Sequence, residues 1–490
     1  MDAPRSVNQD NLDPQDWDFA LRQFHRALDV ALERQRHIRD HPVWTAPLPL
    51  AGTPMPPAGM SLDELVDRFE KDILPYATGN THPKFFGWVH GSGNLYGALG
   101  EALAAVMNCN VGGRNHIGTS LEKQVVGWFR DFFAFPQLST GILTSGTSMG
   151  TIIALACARN SRASWDVQRK GVRAGNVSMM AYASVEAHSC ITKALDLLGL
   201  GRDALRVIAA DAELRMDTAE LEAAIRADRS NGLLPICVIS TIGSVNTGAI
   251  DDVAAIAGIA KREGLWHHVD GAFGAFSICL PRYRHLAPVI ASADSLAFDM
   301  HKWLHVPYDA GCVLIREGEI QRQAFSLRRE YLQSLTDGIA GGEPWFCDYG
   351  PELSRGFRAL KVWFTIQALG FDALSTAIVR NCTQAEQLAN EIARHPQLEL
   401  LAPVSLNVVC LRIRPEGLVG EREINAFNRQ VVATLQNRGL AVPSTTELSG
   451  KLAIRVCLTN HRTQHDDLQQ FVADILAIGT ELSSAQGGVT

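Results

Sequence analysis

Near the N-terminus, apolar and polar residues alternate with the period of an α-helix. The apolar positions are Trp17, Leu21, Phe24, Leu28 and Leu32. This spacing predicts an amphipathic helix. We expect it to start at Asp13-Pro14, because Asp caps helix N-termini and Pro is tolerated at the first helical position. A proline-rich connector follows at residues 41–59, and Ser61 with Glu64 then has the spacing of a capping box, which predicts a second helix.

From about residue 97 to residue 370 the pattern changes to short apolar runs separated by helical stretches. The runs that predict strands include GILTS, SMMAYAS, PICVIST and LWHHVD. Such alternation is typical of an α/β domain with a largely parallel sheet covered by helices on both faces. Ligands of such sheets bind at the carboxyl ends of the strands, so functional side chains are expected at those positions.

After residue 370 a helix, strand-like pieces and a closing helix predict a smaller domain. The chain is therefore expected to have three parts: an N-terminal helical arm (1–96), a large α/β domain (97–370) and a small C-terminal α+β domain (371–490). The arm has few residues with which to form its own core. We expect it to pack on another part of the protein or on a second subunit.

Composition narrows the class of protein. The net charge is −7 over 490 residues, and without a basic run we expect no nucleic-acid partner. The ten cysteines are scattered singly with no C-x-x-C pair, which predicts reduced thiols and no metal site. The N-terminus is polar and acidic, and no apolar run approaches eighteen residues, so we expect a cytoplasmic protein without a membrane partner.

The stretch TSGTSMG resembles an anion-binding loop between a strand and a helix. Gly146, Thr147 and Ser148 lie where backbone N–H groups at a helix start are unpaired, and the two hydroxyls add further donors. Plain helix capping explains the same residues. A phosphate-binding loop is therefore one of two interpretations of this stretch taken alone.

Two further strand ends carry candidate side chains. Asp270 ends an apolar strand and is followed by the small residues Gly271 and Ala272, so its carboxylate needs a cationic or donating partner. The alternative is an Asp that starts a turn. His188 also follows a strand, although a single histidine is more often structural.

Lys302 ends the stretch SLAFDMHK, where burial of an ammonium group is costly. Three interpretations are open: a lysine paired with Asp299, a phosphate-binding lysine, or a nucleophile whose lowered pKa lets it form a Schiff base. Taken in order, an anion loop, a histidine, a strand-terminal acid and a strand-terminal lysine suit pyridoxal 5′-phosphate, which has a phosphate, a flat ring, a ring nitrogen and an aldehyde.

Seven motifs give the sequence a close resemblance to the group II pyridoxal-phosphate-dependent amino-acid decarboxylases. They are HPKFFGW (82–88), TSGTSMGT (144–151), EAHSCITKA (186–194), HVDGAFG (268–274), DMHKWL (299–304), RREYL (328–332) and RGFRALKVWF (355–364). This family contains aromatic-amino-acid, histidine, glutamate and diaminobutyrate decarboxylases. The resemblance implies the type I, aspartate-aminotransferase-like fold of pyridoxal-phosphate enzymes, with a mostly parallel seven-stranded sheet.

The resemblance also implies roles for residues around the cofactor. Lys302 would bond to it covalently, Asp270 would pair with the ring nitrogen, and His188 and Ala272 would cover the two ring faces. The remaining cofactor contacts implied by the motifs are Gly146, Thr147, Ser148, His301 and Ser244.

Tyr331 matches the tyrosine of a mobile catalytic loop and would protonate the substrate carbon, as a lid residue can. Arg358 is given a structural or substrate-gating role. Some family members form aldehydes, and in those the tyrosine or the histidine is often replaced. Since Tyr331 and His188 are both present, simple decarboxylation is expected. Relatives form homodimers with active sites at the interface, and the same is expected here.

The substrate is expected to contact Trp88, His90, Asn110 and Gly112, which lie in the two segments that would line the pocket. Trp88 and His90 favour an aromatic L-amino acid such as tryptophan, tyrosine, phenylalanine or DOPA, decarboxylated to the amine. Arg114 could instead answer an acidic side chain, although a surface salt bridge is the commoner role of a single arginine. Glutamate, aspartate or 2,4-diaminobutyrate, and aldehyde formation, remain alternatives.

Overall fold

The computed structural model of the protein describes residues 11–49, 52, 54–327, 337–342 and 345–487. The strands are β1 (Phe85–Phe86), β2 (Thr140–Thr144), β3 (Met179–Ser184), β4 (Leu205–Ile208), β5 (Leu234–Thr241), β6 (Trp266–Asp270), β7 (Ser295–Asp299), β8 (Gly311–Ile315), β9 (Leu398–Leu400), β10 (Val408–Ile413), β11 (Val442–Leu448) and β12 (Lys451–Cys457). The helices are α1 (Trp17–Arg36), α2 (Leu62–Arg68), α3 (Leu95–Met107), α4 (Ile117–Phe132), α5 (Thr147–Arg162), α6 (Val167–Lys170), α7 (Cys190–Leu197), α8 (Thr218–Ser230), α9 (Val253–Glu263), α10 (Ala287–Ser292), α11 (Gly318–Phe325), α12 (Arg358–Ile392), α13 (Glu421–Asn437) and α14 (His465–Gly487).

The chain divides into two compact units. The first unit comprises residues 1–87, 412–454 and 462–490, and the second comprises residues 88–411 and 455–461. The predicted three-part division into 1–96, 97–370 and 371–490 stays a prediction about domains.

The second unit is built on a seven-stranded sheet with the order β2-β8-β7-β6-β5-β3-β4. Neighbouring strands from β7 to β4 pair in parallel. Strand β8 pairs antiparallel with both of its neighbours, β2 and β7. The α/β class and the mostly parallel seven-stranded sheet predicted from the sequence are therefore confirmed.

The central strands of this sheet are buried on both faces, which explains their nearly continuous apolar sequences. In β7 every residue is buried. Ala297 is close to α5, because a Cβ placed on Gly150 of that helix would lie 3.1 Å from the Ala297 Cβ. Phe298 packs on Phe129 of α4, with ring centroids 5.1 Å apart. Packing on both sides fixes the end of β7, where Asp299 and the following residues lie.

The first unit contains α1 and α2, and for both helices the sequence predicts the residues at the N-terminus. The N-cap of α1 is Asp16, whose Oδ1 accepts a hydrogen bond from the Phe19 N–H at 2.9 Å. The predicted start at Asp13-Pro14 is therefore wrong by one turn, because a second Asp follows within reach of the free amides. The capping box of Ser61 and Glu64 at α2 is confirmed.

A second sheet has the order β1-β11-β12-β10-β9. Strand β1 pairs in parallel with β11, with Phe85 opposite Val442. Strands β11 and β12 are joined by Ser449-Gly450, both with positive φ, as a tight hairpin turn requires. The apolar pattern of the C-terminal part predicts neither strand β11 nor helix α13, and the structure adds both.

Within the described residues, α12 is the one helix long and apolar enough to cross a membrane. It bends at Gly370, where φ is 72°, and it carries the buried Lys361, whose Nζ lies 2.8 Å from Glu101 Oε2 of α3. The buried lysine, whose partner Glu101 is half exposed, and the stripe of buried residues along α12 are features of a helix packed inside a folded unit.

Candidate active site

The carboxyl ends of β2, β5, β6 and β7 surround a cleft of about 410 Å³ in the second unit. Most of the residues predicted to form the site line this cleft: Trp88, His90, Gly146, Thr147, Ser148, His188, Asp270, Ala272, His301 and Lys302. Parallel strands bring these positions together because their carboxyl ends share one edge of the sheet.

The anion-binding loop lies at the start of α5, which begins at Thr147 with Gly146 as its N-cap. The Oγ1 of Thr147 is buried and has no hydrogen-bond partner among the described residues. The same is true of Thr241 Oγ1, which lines the cleft from the end of β5. Buried hydroxyls normally find a partner, so these two atoms, at the positive end of the α5 dipole, fit a bound phosphate.

Asp270 ends β6 and is buried. Its Oδ1 accepts a hydrogen bond from the Ala272 N–H at 3.1 Å. Burial raises the pKa of the Asp270 carboxyl, and the charge of Lys302 acts in the opposite direction. The carboxyl group therefore needs a donating or cationic partner in the cleft, which the nitrogen of a pyridine ring can supply.

Two histidines in the cleft have defined hydrogen bonds. His188 Nδ1 accepts from the Cys190 N–H at 3.2 Å, and His301 Nδ1 accepts from the Ala310 N–H at 3.0 Å. In a neutral ring the proton is then on Nε2. Burial lowers the pKa of both histidines, and the charges of Asp270 and Asp299 respectively oppose that change.

Lys302 lies just after β7 with about a fifth of its side chain exposed (22%). Its Nζ is 2.9 Å from Asp299 Oδ2. Burial lowers the pKa of Lys302, but the charge and hydrogen bond of Asp299, with a contribution from Asp270, raise it overall. Of the three interpretations of Lys302, the pairing with Asp299 is borne out by this contact. The lowered pKa that belonged to the nucleophile interpretation is wrong, because the carboxylate is in direct contact with the amine.

Aromatic rings surround the mouth of the cleft. Trp88 stacks on His90 with ring centroids 5.6 Å apart, and Tyr308 meets His90 edge-on at 6.0 Å. The Tyr308 ring also lies 4.3 Å from that of His301. About half of the Trp88 and Tyr308 surfaces is exposed, at 52% and 46%. A planar apolar side chain can contact these rings.

Some predicted site residues do not line this cleft among the described residues. Ser244 Oγ is used within its own turn, 3.1 Å from Thr247 Oγ1. Asn110 and Gly112 line a different depression, and Asn110 Oδ1 accepts hydrogen bonds from the Gly112 and Arg355 amides. These three residues are not brought to the cleft, because their side chains or backbone serve local loop structure.

The remaining predictions concern a tyrosine and two arginines. Tyr331 lies outside the described residues. Arg114 does not line the cleft, and its guanidinium lies 4.4 Å from the centre of the Trp345 ring. Arg358 bonds to Asp309 Oδ1 at 3.1 Å and to Glu352. These ion pairs are consistent with a structural role for Arg358.

Sequence reasoning missed Tyr308 and Thr241 and did not assign Asp299 a place in the site. Asp299 carried a usable signal, since it ends a strand and precedes Lys302 by three residues. Thr241 also ends a strand. Tyr308 follows a loop, and its proximity to His90 is tertiary, so no spacing pattern could have revealed it.

A phosphate cradle, a buried acid, a histidine and a strand-terminal lysine at one edge of this sheet define a pyridoxal-phosphate enzyme of fold type I. The described residues fit the cofactor on the buried hydroxyls of Thr147 and Thr241 and on the donor set of the cleft. The family model for the pyridoxal-dependent decarboxylase conserved domain matches residues 48–414. The chain belongs to this family. Its cofactor is pyridoxal 5′-phosphate, and it is an amino-acid carboxy-lyase.

The similarity extends over nearly the whole chain. The chain is 31% identical to an aromatic-L-amino-acid decarboxylase of Bacillus atrophaeus, over 94% of this chain and 95% of that protein. It is 25% identical to a phenylacetaldehyde synthase of Arabidopsis thaliana, over 92% and 94%. A crystal structure of Oryza sativa TDC with PLP and tryptamine superposes with a TM-score of 0.88 at 24% identity, covering 96% of this chain and 100% of that one.

Proposed function

We propose that this decarboxylase acts on an aromatic L-amino acid and releases the corresponding amine and carbon dioxide. The observation that carries this proposal is the aromatic rim of Trp88, His90 and Tyr308 at the mouth of the cleft. An aromatic substrate ring gains contact area with such a rim. The name of the Bacillus atrophaeus relative supports the same substrate class.

The charges of the cleft argue against the other substrates considered. Among the described residues Lys302 is the one lysine or arginine that lines it, and Asp299 already pairs with that amine. A glutamate or aspartate side chain would therefore bury its charge without a partner. The lining acids are Asp270 and Asp299. Asp299 pairs with Lys302 and Asp270 is assigned to the ring nitrogen, so neither is left for the ammonium group of diaminobutyrate.

Each residue of the cleft has a proposed task toward the cofactor. When bound, pyridoxal phosphate supplies an electron-accepting ring for the pair released from the bond between Cα and the carboxylate. Lys302 Nζ would be the covalent attachment point, and Asp270 would hold the ring nitrogen protonated. His188 and Ala272 would contact the ring, and the phosphate would be held by Gly146, Thr147, Ser148 and His301.

Proton delivery to the substrate carbon is proposed for Tyr331, and this role also separates the amine-forming from the aldehyde-forming reaction. In a Tyr331→Phe variant, we expect amine formation to fall and aldehyde with hydrogen peroxide to increase. Products are identified by mass spectrometry and peroxide by a coupled assay. An unchanged amine yield would refute the role of Tyr331.

A homodimer in the cytoplasm is proposed as the assembly. In α1 no residue is buried within the chain, and its apolar side chains are exposed: Trp17 (57%), Leu21 (48%), Phe24 (49%), Leu28 (40%) and Leu32 (42%). Exposed apolar stripes of this length mark interfaces. Light scattering on the purified protein tests the mass, and a monomer at micromolar concentration would contradict the proposal.

The decisive experiment is a substrate panel with the purified holoenzyme. L-tryptophan, L-tyrosine, L-phenylalanine, L-DOPA, L-glutamate, L-aspartate and L-2,4-diaminobutyrate are incubated separately, and trapped carbon dioxide and products are measured. We expect amines from the aromatic set and no peroxide. A preference for an acidic or diamino substrate would overturn the proposed substrate class, and peroxide with aldehyde would favour the synthase reaction.

A further inference from the structure

Asp299 holds together two parts of the cleft that sequence spacing does not connect. Its Oδ2 lies 2.9 Å from Lys302 Nζ. Its Oδ1 accepts a hydrogen bond from the N–H of Thr147, the first residue of α5, at 2.6 Å. One carboxylate therefore joins the amine at the end of β7 to the loop at the end of β2.

The position of this carboxylate is fixed by packing. Asp299 ends β7, a strand buried along its whole length, and is 2% exposed. On the neighbouring strand, a Cβ placed on Gly311 would lie 2.8 Å from Asp299 Oδ1 and 2.5 Å from Gly146 Cα. Any side chain at Gly311 would displace the carboxylate, so the glycine preserves the space in which Asp299 contacts both partners.

The charge of Asp299 changes the state of the lysine. A buried amine without a partner loses its proton readily. Here burial lowers the pKa of Lys302, yet the nearby carboxylate raises it overall. Burial acts to raise the pKa of Asp299, but the charges of Lys302 and His301 lower it overall. The pair is therefore ionised, with the negative charge on the carboxylate and the proton on the lysine nitrogen.

We propose that Asp299 is a positioning residue for the reaction, which acts through Lys302: it fixes the lysine nitrogen beside the phosphate-binding loop and keeps a proton on that nitrogen in the cofactor-bound enzyme. The inference rests on the proposed role of Lys302 as the attachment point of the cofactor. A protonated nitrogen at the attachment point leaves the adjoining carbon more electrophilic toward the substrate amine, so Asp299 would prepare the enzyme for substrate.

Other titratable groups also face Lys302 and contribute to its charge. They are Asp270, His188, His301, His90, Tyr308 and the thiols of Cys190 and Cys457. Among the charged ones, Asp270 has a smaller effect on the pKa of Lys302 than Asp299 has. The histidines act in the opposite direction whenever they carry a proton. A variant at Asp299 therefore isolates the largest favourable contribution.

The test is a pH titration of the visible absorbance of the purified holoenzyme, which reports the protonation of the nitrogen that joins Lys302 to the cofactor. The Asp299→Asn variant keeps the shape and removes the charge. We expect its titration midpoint to fall by about 1–3 pH units, the range that an opposite charge at this separation produces. The Asp299→Glu variant keeps a carboxylate, so its titration midpoint should lie between those of Asp299→Asn and the wild type.

The matched control is Asp228→Asn, which removes a buried carboxylate paired with Arg206 and Tyr182 away from the cleft. Its midpoint should equal that of the wild type. An unchanged midpoint in Asp299→Asn, or an equal shift in Asp228→Asn, would overturn the proposal. If Asp299→Asn is insoluble, Asp299→Ser removes the same charge and is read in the same way, because a merely structural defect lowers cofactor content without moving the midpoint.

Failure of the proposed function gives a different result. Borohydride reduction followed by peptide mass spectrometry identifies the lysine to which the cofactor is fixed. Label on a residue other than Lys302 would refute the proposed site itself. Label on Lys302 with an unshifted midpoint in Asp299→Asn would refute the role of Asp299 alone.

Discussion

The buried ion pair between Glu122 and Arg355 should be essential for the stability of the second unit. Both side chains have no exposed surface, and Arg355 Nη2 lies 2.6 Å from Glu122 Oε1. The same Oε1 accepts a hydrogen bond from the Leu143 N–H at 3.0 Å. A Glu122→Gln variant can keep both hydrogen bonds on its amide oxygen. The change removes the charge and places an amide NH2 group where the buried Oε2 has no partner.

The magnitude follows from this geometry. With an effective dielectric constant of about 20, Coulomb's law gives an attraction of roughly 6 kcal/mol at this separation. Desolvation offsets part of it, and breaking such buried pairs costs about 3–5 kcal/mol. Glu352 lies 3.9 Å from Arg355 Nε and is partly exposed, so it compensates weakly. We therefore expect a loss of about 3 kcal/mol in the free energy of unfolding.

Urea denaturation of the holoenzyme, followed by tryptophan fluorescence, measures this loss. The control is Glu319→Gln, which removes an exposed pair with Arg322 and should leave the free energy of unfolding almost unchanged. Because Leu143 is the penultimate residue of β2, just before the phosphate loop, Glu122→Gln should also lose cofactor at a lower urea concentration. A loss below about 1 kcal/mol, or one equal to the control, would refute the reasoning.

Three further predictions concern the cleft and its supporting strands. In Gly91→Ala a Cβ would lie 2.5 Å from the Lys302 carbonyl oxygen. We therefore expect this variant to bind less cofactor, as measured by visible absorbance. The control Gly127→Ala has open space around its Cβ and should bind cofactor normally. Burial lowers the pKa of His268 to about 3, whereas the pKa of a histidine in the unfolded chain is about 6.5. Stability is therefore full above pH 6.5 and is lost as the pH falls, because the unfolded chain binds a proton that the folded protein does not. At pH 5 the loss is about 2 kcal/mol. The difference in free energy of unfolding between pH 7 and pH 5 should shrink by that amount in His268→Gln. In Tyr308→Leu, kcat/KM for an aromatic substrate should fall about 2- to 10-fold, while Tyr308→Phe keeps the ring and most of the activity.

Each of these has a result that contradicts it. Gly91→Ala with normal cofactor content would mean that the backbone around Lys302 yields easily. An unaltered pH dependence in His268→Gln would mean that this histidine carries a proton in the folded protein. Equal losses for Tyr308→Leu and Tyr308→Phe would assign the effect to the hydroxyl group rather than to the ring.

The order of strands and helices in the second unit could be predicted from the sequence, because parallel strands buried on both faces have continuous apolar runs that stand out from the helices between them. Helix ends were less predictable. At α1 two aspartates lie three residues apart, and only the folded backbone decides that Asp16 accepts the free amide. Strand β11 was missed because four of its seven residues are Ser, Thr, Thr and Glu, which weakens the apolar signal.

By itself the sequence determined which side chains follow the strands: Thr147, His188, Asp270 and Lys302 stand at strand ends that a parallel sheet must bring to one edge. Only the tertiary structure decided the partners of those side chains. The contact of Asp299 with both Lys302 and Thr147 joins positions 152 residues apart in the chain, and it reverses the direction of the lysine pKa. Electrostatic effects depend on distance and burial, which the linear order of residues does not contain.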